Sequence, residues 1–192
     1  KLYSEGHGIK KDYVKAIKYF ELSVKQNNLN ALYNLGLFYF KGFGVKPNYL
    51  KAKEYFESSA KQGNCNSLLK LGYFYNQGLG VEQNCLKAKE YYELAAKQGN
   101  SDALYNLGLF YYMGLGVEPN YVWAREYFEL SAQQNNSEAL YNLGVFYFKG
   151  LGVKQNYLKA KEFIELSAKQ GNSNALLKLG YIYTKGYGVE QN

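Results

Sequence analysis

A single histidine, two cysteines and a single arginine, Arg125, among 192 residues leave little raw material for catalytic or metal chemistry. His7 stands between Gly6 and Gly8, in a turn where comparable stretches further along carry Phe, Leu or Tyr. A catalytic role would need a base with its orienting partner, and His7 reads instead as a tolerated turn substitution. Cys65 and Cys85 are too few for a zinc cage or a disulfide framework. They stand at opposite ends of a helix of about 11 residues, hence roughly 15 Å apart, beyond disulfide reach. Two free thiols are expected, which favours a reducing compartment such as the cytoplasm. No apolar run approaches the roughly 20 residues of a membrane span, and no basic-then-apolar leader is present. No metal, no cofactor and no membrane segment are therefore expected, and the chain reads as a non-enzyme.

The scarcity of arginine also bears on the net charge of +7. Phosphate and base-edge recognition draws on the bidentate guanidinium fork, whereas here nearly all the positive charge is lysine. A solvating lysine surface is the simpler reading, and nucleic acid is not the expected partner. The alternative is an RNA-binding helical array, since one-base-per-repeat recognition exists on similar architecture. Most lysines, however, fall on the second helix of each unit and in turns.

What the chain does have is repetition. The run ALYNLGLFYFKGFGV from Ala31 returns as SLLKLGYFYNQGLGV from Ser67, ALYNLGLFYYMGLGV from Ala103, ALYNLGVFYFKGLGV from Ala139 and ALLKLGYIYTKGYGV from Ala175, each 36 residues after the last. A period in that range marks a stacked array. The frame gives a partial unit over 1–30, units 31–66, 67–102, 103–138 and 139–174, and a partial unit over 175–192, read as one continuous array without linkers. A hydrophobic content of 47% supplies a core shared between neighbours.

Each unit predicts two antiparallel helices, A and B. Ala31, Leu35, Phe38 and Tyr39 recur at helical spacing in the first half, as do Leu50, Ala52, Tyr55, Phe56 and Ala60 in the second. Asp12, Asn48, Asn84, Asn120 and Asn156 are the expected caps of B helices starting at Tyr13, Tyr49, Cys85, Tyr121 and Tyr157. Gly42, Gly78, Gly114, Gly150 and Gly186 end helix A, and a second Gly two residues on permits a tight turn. Val45 and its counterparts fill the gap between helices. Lys53 with Glu57, Lys89 with Glu93 and Lys161 with Glu165 are i,i+4 pairs on an outer face, worth a few tenths of a kcal/mol each. Recurring carboxylates such as Glu54 and Glu57 are repeat grammar, and the glycine-rich turns lack the Lys-Ser/Thr ending of a phosphate loop.

The signature LGxxYxxGxGV followed by KAxxYF and a closing Gly-Asn is carried by Leu35, Gly36, Tyr39, Gly42, Gly44, Val45, Lys51, Ala52, Tyr55, Phe56 and Gly63. It recurs in the later units and resembles the Sel-one-like repeat, a relative of the tetratricopeptide repeat with a lengthened turn. The helix-B aromatic, often Trp in that family, is Tyr or Phe here, and its alanine pair is partly Ser, as at Ser58 and Ser59. The resemblance implies an all-α superhelical solenoid and a non-catalytic adaptor or scaffold. Proteins similar to this serve as subunits of ubiquitin-ligase complexes in endoplasmic-reticulum quality control, as activators of cell-wall synthesis and as bacterial factors in host interaction. That breadth shows one fold serving many sites.

The related tetratricopeptide superhelix lines its concave face with helix A, which implies a partner groove here. Its positions are Tyr33, Leu37, Phe40 and Lys41 in the first full unit. They are Lys70, Tyr73, Asn76 and Gln77 in the second. Tyr105, Leu109, Tyr112 and Met113 follow in the third, Tyr141, Val145, Phe148 and Lys149 in the fourth, and Lys178 and Tyr181 in the last. Aromatics interspersed with amide and ammonium donors suit a protein or peptide partner with apolar anchors and acidic acceptors. The same aromatics also serve to fill the seam between units. Trp123, where counterparts are Lys51, Lys87 and Lys159, is an expected exposed hot spot. Apolar faces such as Leu176, Leu179 and Tyr183 lack a covering helix B, so end-to-end self-association is expected.

Overall fold

The computed structural model describes residues 11–26 and 28–188, and the turn carrying His7 lies outside them. Among the described residues there are ten α-helices and no strand: α1 (Tyr13–Lys25), α2 (Leu29–Lys41), α3 (Tyr49–Lys61), α4 (Cys65–Gln77), α5 (Cys85–Lys97), α6 (Ser101–Met113), α7 (Tyr121–Gln133), α8 (Ser137–Lys149), α9 (Tyr157–Lys169) and α10 (Ser173–Lys185). Odd-numbered helices are the B helices, and each begins at the residue that its capping side chain predicts.

The caps explain why. Asp12, Asn48, Asn84, Asn120 and Asn156 accept from the backbone N–H three residues on, at 2.9 or 3.0 Å. A second set went unread in the sequence. Asn64, Asn100, Asn136 and Asn172 accept from the N–H of Ser67, Ala103, Ala139 and Ala175, and Asn28 accepts from Asn30. The asparagine that seems to close one unit therefore opens the next helix A, two residues ahead of the frame drawn from Ala31. Each such cap stabilises its helix by about 1 kcal/mol.

Helix A ends where Gly42, Gly78, Gly114, Gly150 and Gly186 turn left-handed, with φ between 69° and 73°. The chain then doubles back, and the N–H of each asparagine cap of a B helix bonds to helix A: Asn48 to the Tyr39 carbonyl at 2.8 Å, Asn84 to that of Tyr75 at 2.9 Å, Asn120 to that of Tyr111 at 2.8 Å and Asn156 to that of Tyr147 at 2.9 Å. Cap and turn thus close one hairpin together.

The chain forms two compact units, residues 1–98 and 99–192. In the first, Ala16, Ile17, Leu35 and Phe38 form one cluster and Tyr39, Ala52, Phe56, Leu71 and Phe74 another. In the second, the larger cluster is built on Phe128, Leu140, Leu143, Phe146 and Tyr147, and a smaller one on Ile164, Ala175 and Ile182. Val45, Val117 and Val153 pack against these clusters from the turns. Neither unit has a single centre, because inside each unit one helix pair buries its apolar stripe against the next. Leu50 does not join the stripe. It is 59% exposed, because two residues at about 100° apiece place it on the far side of the helix from the buried Ala52.

Asn135 is the only non-glycine residue with positive φ among those described, at 59°. Gly63, Gly99 and Gly171 take the equivalent place with φ of 89°, 81° and 83°. A Cβ there has open space at all three glycines, so only backbone strain decides the preference. Asn tolerates the left-handed region better than most residues, and Ala pays roughly 1–2 kcal/mol. Asn135→Ala is therefore expected to lower stability by about 1 kcal/mol and Asn135→Gly to leave it level or slightly higher. Identical denaturation curves for the two variants would show the position to be unconstrained.

Candidate protein-binding surface

Within each unit the A helices lie side by side. In the first unit, Phe40 on α2 meets Tyr73 on α4 edge-on at 6.2 Å and Phe74 at 5.4 Å. In the second, Tyr112 on α6 lies 5.4 Å from Phe146 on α8. This brings the A-helix positions together and divides them into two kinds.

Tyr33, Leu37 and Phe40 are half-buried against the core of the first unit. Tyr105, Leu109, Tyr112 and Phe148 are half-buried against that of the second, and Tyr141 packs on the Ile164 cluster. Val145 is also half-buried. Burial pushes the phenols of Tyr33, Tyr105 and Tyr141 above the ordinary tyrosine range. These residues are seam as much as surface. Lys41, Tyr73, Gln77, Met113, Lys149 and Tyr181 are exposed, Met113 to 51% and Tyr181 to 59%.

Polar neighbours refine the surface. The Lys178 ammonium sits 3.8 Å above the centre of the Phe148 ring, covering one face of it. Burial, and then the nearby charge of Lys149, hold its pKa below the usual lysine value. The Asn76 carbonyl accepts from Gln83 Nε2 at 2.8 Å, which ties that part of the surface to its own turn. Lys41 lies 5.6 Å above Phe43, and Lys70 is half-buried.

The B-helix side carries a second recurring arrangement beyond the lysine–glutamate pairs expected from the sequence. Those pairs exist, with Lys53 to Glu57 at 3.5 Å, Lys89 to Glu93 at 2.6 Å and Lys161 to Glu165 at 3.6 Å. Beside them, the Lys51 ammonium donates to the Tyr39 hydroxyl at 2.8 Å and lies 4.3 Å above that ring, which stacks on Tyr55 at 5.5 Å. Lys159 does the same at Tyr147, at 3.0 and 4.6 Å, over Phe163. Lys87 lies 4.4 Å above Tyr75, which stacks on Tyr91. Hydrogen bonding to the tyrosine raises the pKa of all three lysines. The signal in the sequence was the constant 12-residue step from the helix-A tyrosine to this lysine.

Trp123 breaks the pattern. It stands on α7 where the lysine would be, is 51% exposed, and sets its indole perpendicular to Tyr111 at 5.0 Å. Tyr111 stacks on Tyr127 at 5.5 Å.

The cysteines are free and half-buried, and the Cys65 thiol donates to the Ala95 carbonyl at 3.5 Å. Among the described residues no group of three or more His, Cys, Asp or Glu is placed to hold a metal ion, and no helix is long and apolar enough to cross a membrane.

The model of the Sel1 repeat matches residues 1–28, 29–64, 66–100, 101–136, 137–172 and 173–192. Among solved structures, a Sel1 repeat protein from Oxalobacter formigenes is 35% identical over 96% of this chain and 76% of its own length, with a TM-score of 0.92. A protective antigen of uropathogenic Escherichia coli strains, displaying an SLR fold, is 32% identical with a TM-score of 0.89. It matches all of this chain, which spans 41% of that protein's length. An immunity protein from Pseudomonas aeruginosa is 22% identical over 91% of this chain and 66% of its own, with a TM-score of 0.62, a likeness of fold alone. No curated protein matches the sequence.

Proposed function

This chain belongs to the Sel1 repeat family, whose solenoids generally mediate protein–protein interactions, and on that premise we propose that it is a non-catalytic scaffold that holds a partner protein on its A-helix face. The observation that carries the reading is the surface around Met113. An exposed thioether ends α6 beside the half-buried Tyr112, in the helix layer that also presents Phe148. Met113 stands where Lys41 and Lys149 stand in other copies, so this stretch of the A face lacks their ammonium. An adaptable apolar side chain framed by aromatics suits an apolar anchor of the partner. Lys149 and Lys178, on the next A helices of the same unit, steer an acidic flanking segment toward it.

The RNA-binding reading has less to stand on. Lys51 and Lys159 are engaged by their own tyrosines and Lys53, Lys89 and Lys161 by their own glutamates. A backbone-tracking surface needs cations available for phosphates.

A photo-crosslinking residue placed at Met113, and separately at Lys53 on the B-helix side, tests the assignment. After irradiation in a lysate of the source cells, the Met113 probe is expected to capture a discrete protein adduct that the Lys53 probe does not. Adducts formed equally from both positions, or only from Lys53, would overturn it.

A further inference from the structure

The A face of the second unit carries a pair of lysines that the fold leaves without an anion. Lys178 on α10 is half-buried, with its ammonium 3.8 Å above the centre of the Phe148 ring on α8. Lys149 follows Phe148 directly and is exposed. Burial and then the charge of Lys149 lower the pKa of Lys178, so the two ammonium groups are close enough to repel each other. Tyr181, one turn beyond Lys178 and 59% exposed, offers apolar surface beside them.

Lysines on the B side are treated differently. Lys53, Lys89 and Lys161 each meet a glutamate four residues on, and Lys51 and Lys159 each donate to a tyrosine hydroxyl. Among the described residues no oxygen accepts from the Lys178 ammonium. The one carboxylate on α8 and α10 belongs to Glu138, in the first turn of α8, where it accepts from Asn172 Nδ2 at 3.1 Å. It stands about three helical turns, roughly 16 Å, before Lys149. A ring face compensates an ammonium only in part, whereas a carboxylate set between the two lysines satisfies their donors and cancels their repulsion. Phe40, Lys41 and Lys70 repeat the same three residue types in the first unit, while Asn34, Asn106 and Asn142 stand at the place of Lys178 in the other copies.

We propose, resting on the A-face reading above, that Lys149 and Lys178 together seat one carboxylate of the partner, an aspartate or glutamate side chain, at a fixed distance from the apolar anchor taken at Met113. Neighbouring A helices lie roughly 10 Å apart, so the seat between α8 and α10 is about 15 Å across the face from α6. An extended segment rises about 3.3 Å per residue. The acidic residue therefore stands about five positions from the anchor, and the partner segment runs across the A helices.

Met113 is the sole methionine, so its methyl carbon reports the anchor, while the ε carbons of Lys149 and Lys178 report the seat. The full chain, carbon-13 labelled at methionine and lysine, is titrated by NMR with a capped peptide. It has a central leucine and, across Ser-Gly spacers, a glutamate about five residues to either side; a second peptide has glutamines in their place. Saturable shifts at both lysines in the millimolar range are expected with the glutamate peptide, and binding weaker by at least about fivefold with the glutamine peptide. Lys178→Asn and Lys149→Gln install the residues found at Asn142 and Gln77 in other copies, so the fold accepts them. Each is expected to weaken the glutamate peptide by at least about threefold and to leave the glutamine peptide unchanged. Lys169→Gln on α9, the residue found at Gln133, is expected to change nothing. Equal binding of the two peptides, unmoved lysine signals, or an effect of Lys169→Gln as large as that of Lys178→Asn would overturn the carboxylate seat. So would the absence of any saturable change below about 20 mM peptide. A shifted Met113 methyl with unmoved lysines removes the seat and keeps the anchor; shifted lysines with an unmoved methyl keep the seat and remove the anchor.

Discussion

Replacing Gly108 by alanine lowers the stability of the protein by up to about 2 kcal/mol. This glycine is the second residue of a Leu-Gly pair in the middle of an A helix, where alanine is intrinsically the better helix former. Space decides against it. A Cβ on Gly108 meets Phe128 Cε1 at 2.5 Å and Cδ1 at 2.6 Å, distances that real Cβ atoms do not adopt. Phe128 has no room to retreat, because it is fully buried, edge-on to Phe146 at 5.3 Å and tilted against Tyr105 at 5.9 Å. Overpacking costs roughly 1–3 kcal/mol and outweighs the propensity gain of about 1 kcal/mol. Denaturation of the variant beside the parent, followed by circular dichroism, checks this. If Gly108→Ala melts with or above the parent, the close crossing of α6 and α7 is not what holds glycine there. Gly36 and Gly72 approach Phe56 and Tyr92 in the same way, which gives the test two internal repeats.

Met113→Lys weakens the complex with the cross-linked partner by more than about 1 kcal/mol, the usual mark of a contributing interface residue. Lys53→Ala, on the B-helix side, leaves it unchanged. The substitution is clean because lysine is already present and exposed at Lys41, Lys149 and Lys185, so the fold accepts it. Tyr112 is a poorer probe. Its ring lies 5.4 Å from Phe146 and 5.9 Å from Tyr121, and truncating it would damage the seam along with any contact. A binding titration with unchanged melting curves reads the effect. Loss of affinity in Lys53→Ala but not in Met113→Lys would move the contact to the opposite side of the helix pairs.

The local chemistry of the chain was enough to place every B helix. Asn48, Asn120 and Asn156 each cap an N–H three residues on, and Gly114 takes a left-handed φ to end its helix, so these elements depend on neighbours a few residues away in sequence. The caps of the A helices are equally local. Asn64 and Asn136 went unread because the repeat frame assigned them to the end of the preceding unit. The motif carried by Leu35, Gly36 and Tyr39 and their copies was legible as a resemblance to the Sel1 repeat.

Tertiary structure decided the rest. Tyr112 and Met113 are adjacent in sequence and both belong to the A-helix set. One is half-buried against Phe146 and the other exposed, and only the position of α8 separates them. The pairing of Lys51 with Tyr39, and of Trp123 with Tyr111, likewise needs helix B folded back on helix A so that residues 12 apart come within 5.0 Å. The sequence determined where helices start, stop and repeat, because those depend on backbone groups within a turn. Which side chains of each helix lie in the seam and which are exposed was settled by packing, because an aromatic side chain carries no mark of its own burial until a neighbouring helix covers it.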